Sequence, residues 1–320
     1  MIGRRWWTPW IWLSPAVVLV SVFLLYPVLN TFVTSFMDAD SAGGIWDLID
    51  DPDKFVGLDN YEFIIDNPRP LVSNTHAALY NNAFWLIVFT GLTVPIGLLF
   101  AMLAARVRYE AVAKSTIFIP MAISFVAASV IWRFMYEFNP DVGTINALKT
   151  AAGSDSTAWL LDRGSPQTPF TDAGPDTAWG PLQVNNFALV MVGVWMWAGF
   201  AMVVLSAGLK GISTEVLEAA RVDGAGEWQI FRRIILPILS PTIVVVATTL
   251  VIQALKKFDL VWVMTGGRAE TDVVATLFYT EAFRQGEFGR GAALAVVLLM
   301  WVVPIMVISI RRFQFQEETR

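Results

Sequence analysis

Residues 83–105 read AFWLIVFTGLTVPIGLLFAMLAA, without one charged side chain. A helix rises 1.5 Å per residue, so about 20 apolar residues cross a hydrocarbon core of about 30 Å. The run is continuous rather than alternating, which fits a helix and not a lipid-facing strand. Five further runs share this character, at about 12–36, 115–132, 187–209, 241–264 and 291–310. Only the run at 241–264 carries charges. The predicted fold is an all-α polytopic membrane protein with six transmembrane helices.

Composition agrees. Of 320 residues, 56% are apolar and 15% charged, against about 25% charged in soluble domains. The 14 Trp and 22 Phe suit a chain with two bilayer interfaces to anchor. Cysteine is absent and His76 is the single histidine, so no disulfide framework is possible and no metal site is expected. The first run follows Arg4 and Arg5 as a signal peptide would. It is longer than a signal core, however, and no A-x-A site follows, so it reads as an uncleaved helix.

Six spans put both termini on one side, and Lys and Arg choose which side. With the termini lie Arg4, Arg5, Arg106, Arg108, Lys114, Lys210, Arg221, Arg232, Arg233, Arg311, Arg312 and Arg320, 12 in all. The opposite, longer loops hold seven, so both termini are expected in the cytoplasm. Segments 37–82 and 137–186 are then external, the first rich in Asp and the second in Gly, Pro, Ser and Asp. The loop 210–237 is cytoplasmic.

That loop contains EAARVDGAGEWQIFRRIILP, residues 218–237. STEVLEAARV has good helix formers and Ser213 or Thr214 as a cap. DGAG breaks it, because Gly224 and Gly226 tolerate positive φ. EWQIFRRII then resumes with Trp228, Phe231, Ile234 and Ile235 on one face. Pro237 and Pro241 frame the entry to the fifth span, where a missing N–H costs little. Composition leaves open whether the apolar face meets lipid or protein.

The string Glu218-Ala219-Ala220, three residues, Gly224, nine residues, Ile234, one residue, Leu236-Pro237 resembles the EAA loop of permease subunits of bacterial ABC importers. Asp223, Ala225, Phe231 and Pro241 fit the sugar-importer version. FVGLDNYEFII, STIFIPMAISFVAASVIWRFMYEFNPDVGTIN and VWVMTGG resemble further segments of the family, so the likeness covers nearly all of 10–312. It looks most like the maltose-type carbohydrate permeases, with a fifth span and C-terminal tail similar to the α-glucoside subgroup. The resemblance implies the type I ABC importer permease fold. It also implies that Glu218, Ala219, Ala220, Asp223, Gly224, Phe231, Leu236 and Pro237 form a coupling helix and turn that dock on an ATPase subunit.

The chain has no G-x-x-x-x-G-K-[ST] phosphate loop. The resemblance therefore implies a transport subunit without catalytic residues or a cofactor of its own, with ATP and Mg bound by two copies of a partner ATPase. It further implies a second permease subunit as heterodimer partner and an external solute-binding protein. Membrane lipid surrounds the spans, and no nucleic-acid partner is expected.

Charge inside a span costs about 2.5–3.5 kcal/mol at the centre on insertion scales, so it marks function. At helical spacing Thr242, Thr249, Gln253, Lys256 and Lys257 share one face of the fifth span, and Asp259 lies three residues from Lys256. The two lysines line a substrate path or snorkel outward. In the fourth span Trp195, Gly199, Met202 and Ser206 share a face, with Trp197 on another, and Trp195 is the favoured aromatic. An aromatic ring beside polar groups suits a sugar, whose C–H faces are apolar. Packing of small residues between helices explains the same pattern. Trp195, Gly199, Thr249, Gln253, Lys256, Lys257 and Asp259 are thus the candidate substrate path.

The family often has Ile-Pro where this chain has Ile212-Ser213, and LTGGGP where it has MTGGRAET. The paired lysines depart from the neutral pattern of maltose permeases. An importer of a phosphorylated or anionic sugar is therefore an alternative, and a polytopic membrane enzyme a remote one.

Overall fold

A computed structural model describes residues 7–66, 75–161 and 183–318. Ten helices carry the argument. They are α1 Trp10–Thr34, α2 Asp59–Asp66, α3 Ala77–Ala104, α4 Glu110–Ala122, α5 Phe125–Met135, α6 Val184–Lys210, α7 Thr214–Val222, α8 Glu227–Leu255, α9 Asp259–Met264 and α10 Phe288–Glu318. Among the described residues there is no β-strand, only an isolated bridge between Met37 and Phe55. Four helices (α1, α3, α6 and α8) are long and apolar enough to cross a membrane, and α4 with α5 makes a fifth if counted together. Part of each expected external loop, 67–74 and 162–182, lies outside the described residues, as do Arg4, Arg5 and Arg320.

The chain forms two compact units, one of residues up to 68 with 277–300, the other of 69–276 with 301 onward. In the first, α1 leaves most of its apolar side chains exposed, as a lipid-facing helix does. Its residues Ser21–Leu25 widen into a π turn. Pro27, two residues on, has no N–H to give the Phe23 carbonyl, so the helical ladder is already short of a bond there. Beyond α1, the Asn60 amide donates to the carbonyls of Ser35 (3.1 Å) and Met37 (2.7 Å). Gly289 in α10 is packed so closely that a Cβ would sit 2.5 Å from the Asp38 carbonyl oxygen.

In the second unit α6 is the central element, with Leu189, Val190, Val192, Ala201, Met202 and Leu205 at 0% exposure. It packs on α3, α4 and α8. Small residues allow the approach. A Cβ on Gly97 of α3 would lie 2.4 Å from Ala201 Cβ, and one on Gly199 would lie 2.6 Å from the Ile117 carbonyl oxygen. This is the helix contact that lipid-embedded proteins favour, because van der Waals packing replaces the hydrophobic drive.

Two predicted spans differ from the structure. The run 115–132 is not one straight helix. α4 and α5 meet at 96°, across Ile123 and Ser124. Pro120 lies in a 3₁₀ turn, and Ser124, in extended conformation, accepts the Ala127 N–H at 3.1 Å as an N-cap. The run 241–264 is likewise divided. α8 starts upstream at Glu227 and ends at Leu255, Lys256 leaves helical geometry at φ −94° and ψ 19°, and α9 begins at Asp259. The single helical face drawn through Thr242, Thr249, Gln253, Lys256 and Lys257 therefore stops short of the two lysines.

Candidate functional site

The expected coupling loop forms a helix, a turn and a second helix. Ser213 precedes α7 in extended conformation. After Asp223 the Gly224 N–H donates to the Arg221 carbonyl (3.0 Å) and the Ala225 N–H to the Ala220 carbonyl (3.0 Å). This pair of bonds is the Schellman closure of a helix, and it needs a left-handed residue, supplied by Gly224 at φ +83°. The space where its Cβ would stand is open, so the conformation, not crowding, selects glycine. Across the turn Arg221 Nε donates to Glu227 Oε1 at 2.9 Å, and the Gly226 N–H is capped by Gln229 Oε1 at 3.1 Å.

Glu218, Ala219, Asp223, Gly224 and Pro237 are exposed, while Ala220, Phe231 and Leu236 are half-buried. Val216, Val222 and Trp228 are exposed too, Val222 at 87%. Ile212 and Ile230 are buried; the sequence marks Ile212 only as a departure from the family and gives Ile230 no role. Phe231–Ile235 is a π turn just ahead of Pro237, which cannot donate to the Arg233 carbonyl. Upstream, Glu110 Oε1 receives Lys114 Nζ (2.5 Å) and Lys210 Nζ (2.9 Å), and Lys114 also meets the Ser206 hydroxyl. That cluster ties the start of α4 to the end of α6, directly before the loop.

The expected substrate-path residues stand in different surroundings. Trp195 is half-buried, with its ring edge-on to Trp132 at 5.5 Å. Gly199 lies against the backbone of Ile117 and Phe118. The Thr249 hydroxyl is spent on the Val245 carbonyl at 3.0 Å. Gln253 is half-buried, and Lys256 and Asp259 are exposed. Lys257 is the exception at 4% exposure. Its ammonium nitrogen lies 4.9 Å from the ring centroids of Phe89 and Phe125, and 5.8 Å from those of Trp85 and Trp197. The aromatic partner that α6 gives Lys257 is thus Trp197, while Trp195, the ring favoured for the substrate path, packs on Trp132. Trp85 and Phe89 show in sequence only as an i, i+4 aromatic pair, the commonplace signature of a packed helix.

Beyond α9 the turn TGGRAETD, 265–272, holds four left-handed residues: Gly266 (φ 62°), Gly267 (76°), Ala269 (54°) and Glu270 (59°). Side chains from α3 and α6 hold it. The Asn81 amide donates to the carbonyls of Glu270 and Asp272, both at 2.7 Å. Asn185 donates to Ala269 (2.8 Å), Asn186 to Asn81 Oδ1 (2.9 Å), and the Val274 N–H donates to Asn82 Oδ1 (2.8 Å). Asp272 is buried, which pushes its carboxyl up to about 7, and it accepts the Thr276 hydroxyl at 2.8 Å. The paired asparagines of YNNAF and VNNFA carried no signal in the sequence reading.

Comparison with known proteins agrees with this architecture. The family model "Binding-protein-dependent transport system inner membrane component" matches residues 93–316. The osmoprotective compounds uptake permease protein GgtC of Synechocystis sp. is 44% identical over 313 residues, covering 97% of this chain and 100% of the relative. The alpha-glucoside transport system permease protein AglF of Rhizobium meliloti is 40% identical over 308 residues, covering 95% of this chain and 81% of its own. A bacterial ABC transporter involved in the import of the acidic polysaccharide alginate has the same fold, with TM-score 0.69 at 21% identity over 95% of this chain and 96% of that one. The relatives are permease subunits rather than enzymes. This chain belongs to the family of binding-protein-dependent transport system inner membrane components, as a transmembrane permease subunit of an ABC importer.

Proposed function

We propose that this subunit translocates a neutral sugar, an α-glucoside or other small oligosaccharide, by alternating access. The observation that carries the substrate class is the 40% identity to the alpha-glucoside permease along 95% of the chain. On this reading six spans cross the inner membrane with both termini in the cytoplasm, and the chain pairs with a second permease subunit. Two ATPase copies hold ATP and Mg, and a solute-binding protein delivers the sugar outside.

The ATPase meets the turn around Gly224. Val216, Val222 and Trp228 are apolar, exposed and outside the uncharged spans, as a docking face requires. Their backbone is fixed by the Schellman closure, so movement of the ATPase reaches α8 without being absorbed in a soft loop. The assembled importer in proteoliposomes, given its binding protein, should take up an α-glucoside only with ATP. Uptake of a sugar phosphate in preference to every neutral glycoside would replace this reading with the anionic one.

A further inference from the structure

Lys257 is a buried cation faced by aromatic rings. Trp85 and Phe89 come from α3, Phe125 from α5 and Trp197 from α6. Four ring faces turned toward one ammonium make the arrangement by which proteins recognise alkylammonium ligands. Three features show that it is built rather than incidental. Trp85–Phe89 is a π turn with no proline within four residues to cause it, and such turns collect at functional sites. Gly193 leaves the room these rings need, since a Cβ there would lie 2.9 Å from Trp85 and 3.3 Å from Phe89. Finally, Lys257 sits in the break between α8 and α9, where the helical ladder does not hold its backbone.

A charge kept out of water pays a desolvation penalty that ring quadrupoles offset only in part. Across this break the Phe258 N–H donates to the Lys256 carbonyl at 2.8 Å, a local bond outside the i→i−4 ladder that leaves the ammonium a cation able to leave. The same rings, once vacated, offer apolar faces to the C–H surfaces of a sugar.

We propose that Trp85, Phe89, Phe125 and Trp197 form a cation-binding cage that Lys257 fills from within the chain, as a tethered plug that withdraws before sugar passes. The plug rests on the sugar-path reading above; the cage does not. Lys257→Ala empties the cage, and n-butylammonium then replaces the missing side chain. Thermal unfolding of the assembled Lys257→Ala importer should rise by about 2–4 °C at ten times the Kd of n-butylammonium. n-Butanol, of like shape without charge, should leave it unchanged, and wild type should respond to neither.

Lys257→Met, which fills the space without charge, should be as unresponsive as wild type. In proteoliposomes n-butylammonium should cut sugar uptake by Lys257→Ala at least tenfold and leave wild-type uptake intact. Equal effects of butanol and butylammonium on Lys257→Ala, or no effect of either, overturn the cage. Selective stabilisation with undiminished uptake overturns the plug. Failure of the wild-type importer to transport any sugar defeats the transport reading instead, and the thermal arm still decides the cage.

Discussion

Two turns flank the helices that follow α7, and they are held in opposite ways. The turn at 222–226 uses one left-handed residue, Gly224, closes on its own backbone and lies exposed. The turn at 265–272 uses four left-handed residues, two of them not glycine, and depends on asparagines from distant parts of the sequence. The first is complete in itself and leaves its surface free for a partner. The second is strained, at about 1–2 kcal/mol for each non-glycine left-handed residue, and persists only because neighbouring side chains determine it. A lever handed to another subunit needs the first design; a fixed point at the other end of the bundle needs the second.

The contrast breaks first at Asn81. Asn81→Leu removes the amide that donates to the carbonyls of Glu270 and Asp272, at about 1–3 kcal/mol for the buried Asp272 group. Thermal unfolding of the importer should drop markedly, and hydrogen exchange over 265–274 should accelerate; an unchanged midpoint would mean the turn stands alone. Gly224→Val comes next. It strains φ without a clash, by about 1–2 kcal/mol. Sugar-stimulated ATP hydrolysis should be lost while the protein still inserts in the membrane. Gly224→Asn, which tolerates the left-handed region, should retain most activity, and equal loss in both variants would point to crowding by a partner instead.

The Asp272 carboxyl gives a smaller, pH-dependent effect. Its native value, near 7, lies above the 3.8 of the unfolded chain, so the folded state holds the proton longer. The stability it contributes is full below 3.8 and is lost as pH rises through 7, about 1 kcal/mol between pH 6 and 8. Asp272→Asn should flatten that slope in thermal unfolding. The smallest effect belongs to Arg221 and Glu227. Their ion pair is exposed at 50% and 66%, so Arg221→Ala should barely move thermal unfolding, and less still in high salt. A larger loss of coupling than of stability would place Arg221 in the ATPase contact.

What the sequence disclosed follows the same divide. The four long apolar helices and the Gly224 turn depend on contiguous residues, so apolar runs and glycine spacing revealed them. The lysine cage and the asparagine clamp join residues up to 192 positions apart, and no local pattern separates Asn81 or Trp85 from ordinary polar and core residues. The helical wheel put Lys256 and Lys257 on the face of Gln253 because it assumed a regular helix through a point where the chain breaks. The bend at Ser124 was missed for a related reason: an apolar run reports burial in lipid, not straightness.

The chain contains no cysteine, so a single one is a unique chemical handle. Val222→Cys places it at the most exposed apolar position of the turn, and Leu148→Cys, also exposed, serves as a control in the segment expected outside. Maleimide labelling should be fast at both positions in the permease alone, and the ATPase subunits should suppress it at Val222→Cys only. Equal labelling of Val222→Cys with and without the ATPase would contradict the assignment of this turn as the coupling surface.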